Sequence, residues 1–384
     1  MDLETLKGEV CELLFLKDDS LVDVVCATYV ANLLEGDPLW TMIVGAPASG
    51  KTEVLMSLRE CDGVHIISTL TARTLVSGWQ IGGQHGEKRK KGPEASLLDR
   101  LKGKLLITKD FTSILSLRPD SQREILSQLR EVYDGFYRAE WGTGKTYTWD
   151  STMGFLGGVT PDIYRKHYVM TELGPRFIYY HVERQSLREM SRIAYNMQGK
   201  EQVIRQRLRK SFRDFLHHIP RGNTEIANEA EWIEPFSDLA ALTALARAPV
   251  YRSQGRKVIV QEPDPEGTGR VIKQFKKLAK SLGRLRDTNS IDEDIYRIVR
   301  KVGIDSVPKM RWKVLECMWA DSQEEGKYDT YNMVTLEKSL RMERSTLSYL
   351  LGDLVYLGLI EKEQQRYSLS DDCISYLEGI YATG

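Results

Sequence analysis

The chain has no surplus of charge of either sign: lysine plus arginine number 54 and aspartate plus glutamate 54. That balance gives no global field toward nucleic acid, a membrane surface or acidic substrates, so any polyanion contact has to be local. Cysteine is scarce. Cys11, Cys26, Cys61, Cys317 and Cys373 are widely scattered, odd in number and never spaced C-x-x-C, which argues against a disulfide framework and a zinc ribbon. No apolar stretch approaches the roughly 18 residues needed to span a bilayer. Met1-Asp2-Leu3-Glu4 carries acids where a secretory leader needs a basic start. Together these absences predict a cytoplasmic protein with no membrane partner.

With 41 % hydrophobic and 28 % charged residues over 384 positions, there is ample apolar material for two or three packed domains. The chain is organised around Leu39-Trp40-Thr41-Met42-Ile43-Val44-Gly45-Ala46-Pro47-Ala48-Ser49-Gly50-Lys51-Thr52. An apolar strand pattern runs up to Val44, and helical spacing resumes at Thr52. Between them lies Gly-x4-Gly-Lys-Thr, the spacing of a phosphate-binding P-loop. Its glycines let backbone N–H groups turn toward phosphate oxygens. Gly45, Ala46, Pro47, Ala48, Ser49, Gly50, Lys51 and Thr52 are therefore the candidate nucleotide cradle. Lys51 would reach the β- and γ-phosphates of ATP, and Thr52 would place its hydroxyl on Mg²⁺. A second Gly-Lys-Thr at Gly144-Lys145-Thr146 fails the pattern, because the first glycine would fall on Ala139.

Further along, Val64-His65-Ile66-Ile67 is a short strand candidate. Residues 79–93 form a polar, glycine-bearing loop with Lys88, Arg89, Lys90 and Lys91 in succession. Such a run is ordinarily a solvated surface loop; the sharper reading has it facing a DNA backbone. Lys104 to Phe111 is an apolar strand ending in Asp110, where a P-loop ATPase keeps the carboxylate that holds Mg²⁺ or polarises the attacking water. Such sites commonly pair two acids, but Lys109 precedes Asp110 here. Residues 121–135 carry a helical apolar stripe. Two aromatic, alternating runs around Gly142-Thr143-Gly144-Lys145 then predict a hairpin, and strands follow at residues 153–159 and 177–182.

This order of parts resembles the AAA+ ATPases, and is most similar to the MCM branch of replicative helicases and its shorter relatives on phages and mobile elements. The resemblance covers roughly residues 39–305. It is carried by the P-loop, by Lys109-Asp110-Phe111 where the family shows Asp-Glu-Phe, by the Trp141–Lys145 hairpin tip, by Gly-Gly-Val-Thr160-Pro and by Gly-Pro-Arg176-Phe. The resemblance implies that Lys145 points into a ring pore and touches DNA phosphates. It implies that Thr160 orients the attacking water and that Arg176 is an arginine finger reaching a neighbouring subunit's ATP. Arg270, opening a long helix, stands where the family keeps a second sensor arginine. The alternative for Arg176 is an intrachain ion pair to an acid such as Glu172; for Lys145 and Arg270 it is a solvated side chain. The amino-terminal OB-fold domain of full replicative members has no counterpart.

The expected architecture is α/β: an N-terminal helical segment (1–36), a P-loop AAA+ core (37–183), a helical lid (184–305) and a C-terminal winged-helix domain (306–384). Arg205, Arg207, Arg209, Lys210 and Arg213 read as the wet face of an amphipathic helix. The C-terminal module is only weakly basic, so protein docking suits it as well as DNA reading. The functional expectation is a homo-oligomeric, hexameric ring that couples ATP hydrolysis to movement or remodelling of DNA, single-stranded rather than duplex. An ATP-dependent switch, such as a helicase loader, replication initiator or defence-complex subunit with slow hydrolysis, is the alternative. A transcriptional regulator acting through the winged helix is a third reading.

Overall fold

The computed structural model describes residues 1–76, 96–140, 146–166, 170, 174–183, 186–222, 225–253, 258–325 and 330–382. Lys88, Arg89, Lys90, Lys91, Lys145 and Glu172 lie outside them. The chain is mixed α/β and divides into two compact units, Met1–Glu225 with Lys280–Thr288, and Ile226–Ala279 with Asn289–Gly384. No helix of the described residues is long and apolar enough to cross a membrane.

The first unit is built on a five-stranded sheet of β1 (Trp40–Val44), β2 (Val64–Ile67), β3 (Leu105–Thr108), β6 (Gly154–Val159) and β7 (Phe177–His181). Their order is β2-β3-β6-β1-β7, and every pairing is parallel. Strands covered on both faces need apolar residues in succession rather than in alternation. β1, β3 and β6 are accordingly buried at every position. Trp40 anchors the core: its ring meets Tyr133 edge-on at 5.1 Å and lies 5.2 Å from Phe177, and its indole N–H donates to the Met153 carbonyl at 2.9 Å. Because β6 lies between β1 and β3, the chain leaving β6 emerges beside both the P-loop and the end of the acid-bearing strand.

The sequence's hairpin forms from β4 (Phe136–Glu140) and β5 (Thr146–Asp150), paired antiparallel from Phe136↔Asp150 to Glu140↔Thr146. Helix Pro119–Tyr133 leads into it and buries Ile125, Leu126, Leu129 and Val132, the stripe its periodicity predicts. The amino-terminal segment forms helices Leu3–Leu14 and Ser20–Ala31. Asp23, fully buried on the second, receives the Lys7 ammonium of the first at 3.1 Å.

Helices Leu187–Met197 and Glu201–Leu216 belong to the same unit as the sheet. The arginines of the second do not face water alone. Arg205 makes a two-pronged pair with Glu53 (2.8 and 2.6 Å), Arg207 bonds Glu9, and Arg209 and Arg213 reach Glu60 at 3.9 and 3.2 Å. Helical periodicity correctly separates the polar from the apolar face but does not say what the polar face meets.

The second unit contains helices Ile233–Arg247, Glu293–Asp305 and Lys309–Glu325. A small module follows: β8 (Tyr331–Asn332), helices Met333–Leu340 and Arg344–Tyr356, then β9 (Ile360–Glu363), β10 (Arg366–Leu369) and helix Asp371–Tyr381. Its antiparallel sheet has the order β8-β10-β9. On helix Arg344–Tyr356, Asp353 accepts from Arg252 at 2.7 Å and from Arg311 at 3.1 Å, and Arg252 lies 5.2 Å over the Tyr349 ring.

Candidate functional site

The cradle begins where β1 ends. The Gly45 N–H donates to the Val159 carbonyl at 3.1 Å, tying the loop to β6. A side chain on Gly45 would put its Cβ 2.6 Å from the Ser49 hydroxyl, so the loop closes over that position only because it is glycine. Gly50 has φ 80°, a left-handed value that glycine adopts without cost, while Ala48 holds φ 62° against its ordinary preference. Strain of this kind persists where the surrounding structure imposes it.

Lys51 is 7 % exposed, and its ammonium donates to the Ala46 carbonyl at 3.1 Å. Burial holds it below lysine's ordinary range, and the Asp110 carboxylate is the charge that pulls it back up. The Ser49 hydroxyl oxygen is buried and has no protein hydrogen-bond partner. A largely buried cation and a buried hydroxyl without a protein partner are what a bound phosphate would complete.

Beside the cradle is a cavity of about 370 Å³ lined by Ala48 to Glu53 on one side and by Leu14, Met190, Ile193, Ala194 and Met197 on the other. Helix Leu187–Met197 buries none of its own residues. Its apolar positions 190, 193, 194 and 197 recur at helical spacing and form the cavity's second wall. The volume and the mixture of one apolar wall with one polar end suit a small ligand carrying a flat apolar part and a charged part.

Asp110 is exposed at the end of β3, and its Oδ1 accepts the Thr112 N–H at 2.9 Å. The Thr160 N–H donates to the Thr112 Oγ1 at 3.2 Å, and the two threonine hydroxyls are 3.3 Å apart. The approach of the two strand ends depends on Gly158: a Cβ there would lie 2.5 Å from the Lys109 carbonyl oxygen, and the Gly158 carbonyl accepts the Phe111 N–H at 2.8 Å. Thus Lys51, Asp110 and Thr160, far apart in sequence, share one end of the sheet. Thr52, exposed beside Lys51, and Asp110 are the two groups that would hold Mg²⁺ there.

Arg176 lies elsewhere in the unit. It is 6 % exposed, pairs with the Asp134 carboxylate at 2.6 Å and lies 5.6 Å over the Tyr133 ring. In this conformation its guanidinium is committed to its own chain, at the root of the β4–β5 hairpin. Arg270 lies in the first turn of helix Thr268–Leu285, 3.8 Å from Glu266 four residues earlier, and belongs to the second unit.

Sequence reasoning missed Thr112, the cavity wall on Leu187–Met197 and the Arg205–Glu53 pair. No local signal marked the Thr112 hydroxyl, since an Asx turn at Asp110 uses the backbone N–H two residues on whatever side chain stands there. The wall was legible as apolar spacing, but not as facing the P-loop. A scan against protein-family models and a search of curated proteins both return no match to this chain.

Proposed function

We propose that this chain is an ATP-hydrolysing P-loop protein of the AAA+ type that works as a homo-oligomer on DNA. The observation that carries the ATPase part is the desolvated Lys51 in its glycine cradle, beside a cavity of about 370 Å³, with Asp110 as the one carboxylate offsetting its burial. The strand order supports the reading as well, since β6 between β1 and β3 brings Thr160 to the Asp110 turn.

In this reading Lys51 and the loop amides bind the triphosphate, and the apolar wall of Leu14, Met190, Ile193 and Met197 receives the base. Mg²⁺, held by Thr52 and Asp110, would neutralise charge on the phosphate oxygens. Thr160 orients a water whose oxygen attacks the terminal phosphorus. The bond to the bridging oxygen breaks to leave ADP, and the water proton passes to the released phosphate. A finger role for Arg176 requires it to exchange Asp134 for a neighbour's phosphate, an exchange that would couple assembly to the hairpin root.

The DNA part rests on the resemblance and on the hairpin that carries Lys145. The helix–helix–hairpin order of residues 333–369 fits a winged helix. Tyr349 and Asp353 are engaged by Arg252 and Arg311, which leaves Arg344, Ser345, Thr346 and Ser348 as its exposed polar residues and favours a protein contact over base reading. ATP turnover measured with and without single-stranded DNA tests the motor reading. Turnover that DNA does not stimulate, or stimulation unchanged in Lys145→Ala, removes it. Mass measurement with and without an ATP analogue tests assembly, and a hexameric ring is the expected product.

A slow switch is the second reading, favoured by Lys109 standing where a two-acid site keeps its other carboxylate. Turnover well above about 1 s⁻¹, within the ordinary enzyme range, would count against it.

A further inference from the structure

We infer that Thr112 is a positioning residue that joins Asp110 and Thr160 into one hydrolytic unit, an inference that rests on the ATPase reading above. The bland account of Thr112 is an Asx turn that starts the short helix Thr112–Leu115. That account uses only the Thr112 amide, which bonds Asp110 Oδ1. The hydroxyl is left to be explained.

Its oxygen accepts the Thr160 N–H, and its own proton has the Thr160 Oγ1 within reach at 3.3 Å. With that proton so directed, the Thr160 hydroxyl keeps its proton for an acceptor outside the protein, which in this site is a phosphate oxygen or the attacking water. The other half of the arrangement concerns the carboxylate. Oδ1 is fixed by the Thr112 amide, so Oδ2 is the oxygen left to take a proton or hold a metal. One threonine therefore aims both groups.

The turn itself is rigidly held. The Ser113 hydroxyl donates to the Asp110 carbonyl at 2.7 Å, the Phe111 N–H donates to Gly158, and the Lys109 carbonyl sits where any Cβ on residue 158 would be. Because Lys109 stands where a two-acid site keeps its other carboxylate, more of the work falls on the orientation of Asp110. A positioning residue matters more under those conditions, since a misplacement of about 1 Å at reacting groups costs on the order of 100-fold in rate.

The test is steady-state ATP turnover by the full chain for Thr112→Val, Thr112→Ser, Thr160→Val and the Thr112→Val/Thr160→Val double variant, with melting midpoints alongside. Thr112→Val keeps the amide and the shape but loses the hydroxyl. Its kcat should fall about 10- to 100-fold with KM for ATP within about threefold. Thr112→Ser should recover most of the loss, and the double variant should be no slower than Thr160→Val alone, because Thr112 acts through Thr160. If Thr112→Val melts early, Thr112→Ala replaces it, assayed below its own midpoint. Wild-type kcat in the hydroxyl-free variant, a loss confined to KM, or losses that multiply in the double variant would overturn the inference while leaving the ATPase reading intact. A wild-type chain that neither binds nor hydrolyses ATP overturns both.

Discussion

Replacing Lys51 by methionine should move the stability of this chain in opposite directions depending on whether nucleotide is present. Without nucleotide, Lys51 as a residue is 7 % exposed, and among the described residues its ammonium finds one acceptor, the Ala46 carbonyl, for its three donors. Methionine matches its length without the desolvated charge, and removing a poorly compensated buried ion stabilises by about 1 to 2 kcal/mol. For a folded unit of this size, each kcal/mol corresponds to about 2 to 4 °C, so the midpoint should rise by about 2 to 8 °C. With ATP and Mg²⁺ at about 100 times the dissociation constant, the wild-type chain gains about 2.7 kcal/mol, or about 5 to 11 °C. The variant, lacking the cation that meets the phosphates, should gain almost nothing, so the two melting curves cross over. Differential scanning fluorimetry of both chains, with and without ATP and Mg²⁺, measures all four midpoints. A Lys51→Met chain that melts below wild type without nucleotide, or that keeps the ATP-dependent gain, would refute the claim that this lysine is held desolvated for a phosphate.

The remaining expectations concern the cavity, the buried arginine and pH. Ile193→Asn should weaken ATP binding about tenfold while leaving inorganic tripolyphosphate binding unchanged, read by calorimetry, because it alters the apolar wall without adding charge beside the cradle. Asp134→Ala should destabilise the fold by about 1 to 3 kcal/mol once the half-exposure of Asp134 is allowed for, which lowers the melting midpoint by about 2 to 12 °C. Arg176→Ala should lose about 10³-fold or more in turnover if the guanidinium acts across chains. In that case mixing inactive Lys51→Met and Arg176→Ala chains restores turnover, and a mixture that stays inactive sinks the trans role. Because folding lowers the Lys51 pKa, its burial penalty is fully present below the folded value and is relieved as pH rises through it toward lysine's ordinary 10.5. A bound triphosphate raises that pKa again. Binding in this alkaline window should therefore take up protons, seen as a buffer-dependent heat that fades at neutral pH, where Lys51 is already protonated without nucleotide.

Most of β1 to β7 was legible because these strands are either apolar runs or, in the separate β4–β5 hairpin, aromatic alternations. Residues 39–44, 64–67, 104–111, 136–149, 153–159 and 177–182 read as strands, and each holds one or two of β1 to β7. The P-loop was legible for a different reason: its glycines, lysine and threonine are constrained at fixed spacing by one task. What spacing could not supply was partnership across the chain. Arg205 and Arg213 look solvated until the helix is docked on Glu53 and Glu60. Arg176 reads as a residue for export, yet it is held by Asp134, which precedes it by 42 positions. Thr112 escaped notice because a hydroxyl's role depends on which neighbour faces it, and Thr160 arrives from another strand. Gly158 is the instructive intermediate case. Its presence is visible in the sequence, but its reason, the Lys109 carbonyl, is visible only in three dimensions.

The guanidinium row on Glu201–Leu216 bears on how any salt titration of this molecule is to be understood. Added electrolyte shortens the range over which charges feel one another, to about 8 Å at physiological strength, and weakens exposed pairs first. The same electrolyte that would loosen any charged ligand will therefore also slacken Arg205, Arg207 and Arg213 from Glu53, Glu9 and Glu60. The slope of activity against ionic strength sums seams within one molecule and contacts between two. Charge-reversed swaps at Glu53 and Arg205 separate the two contributions.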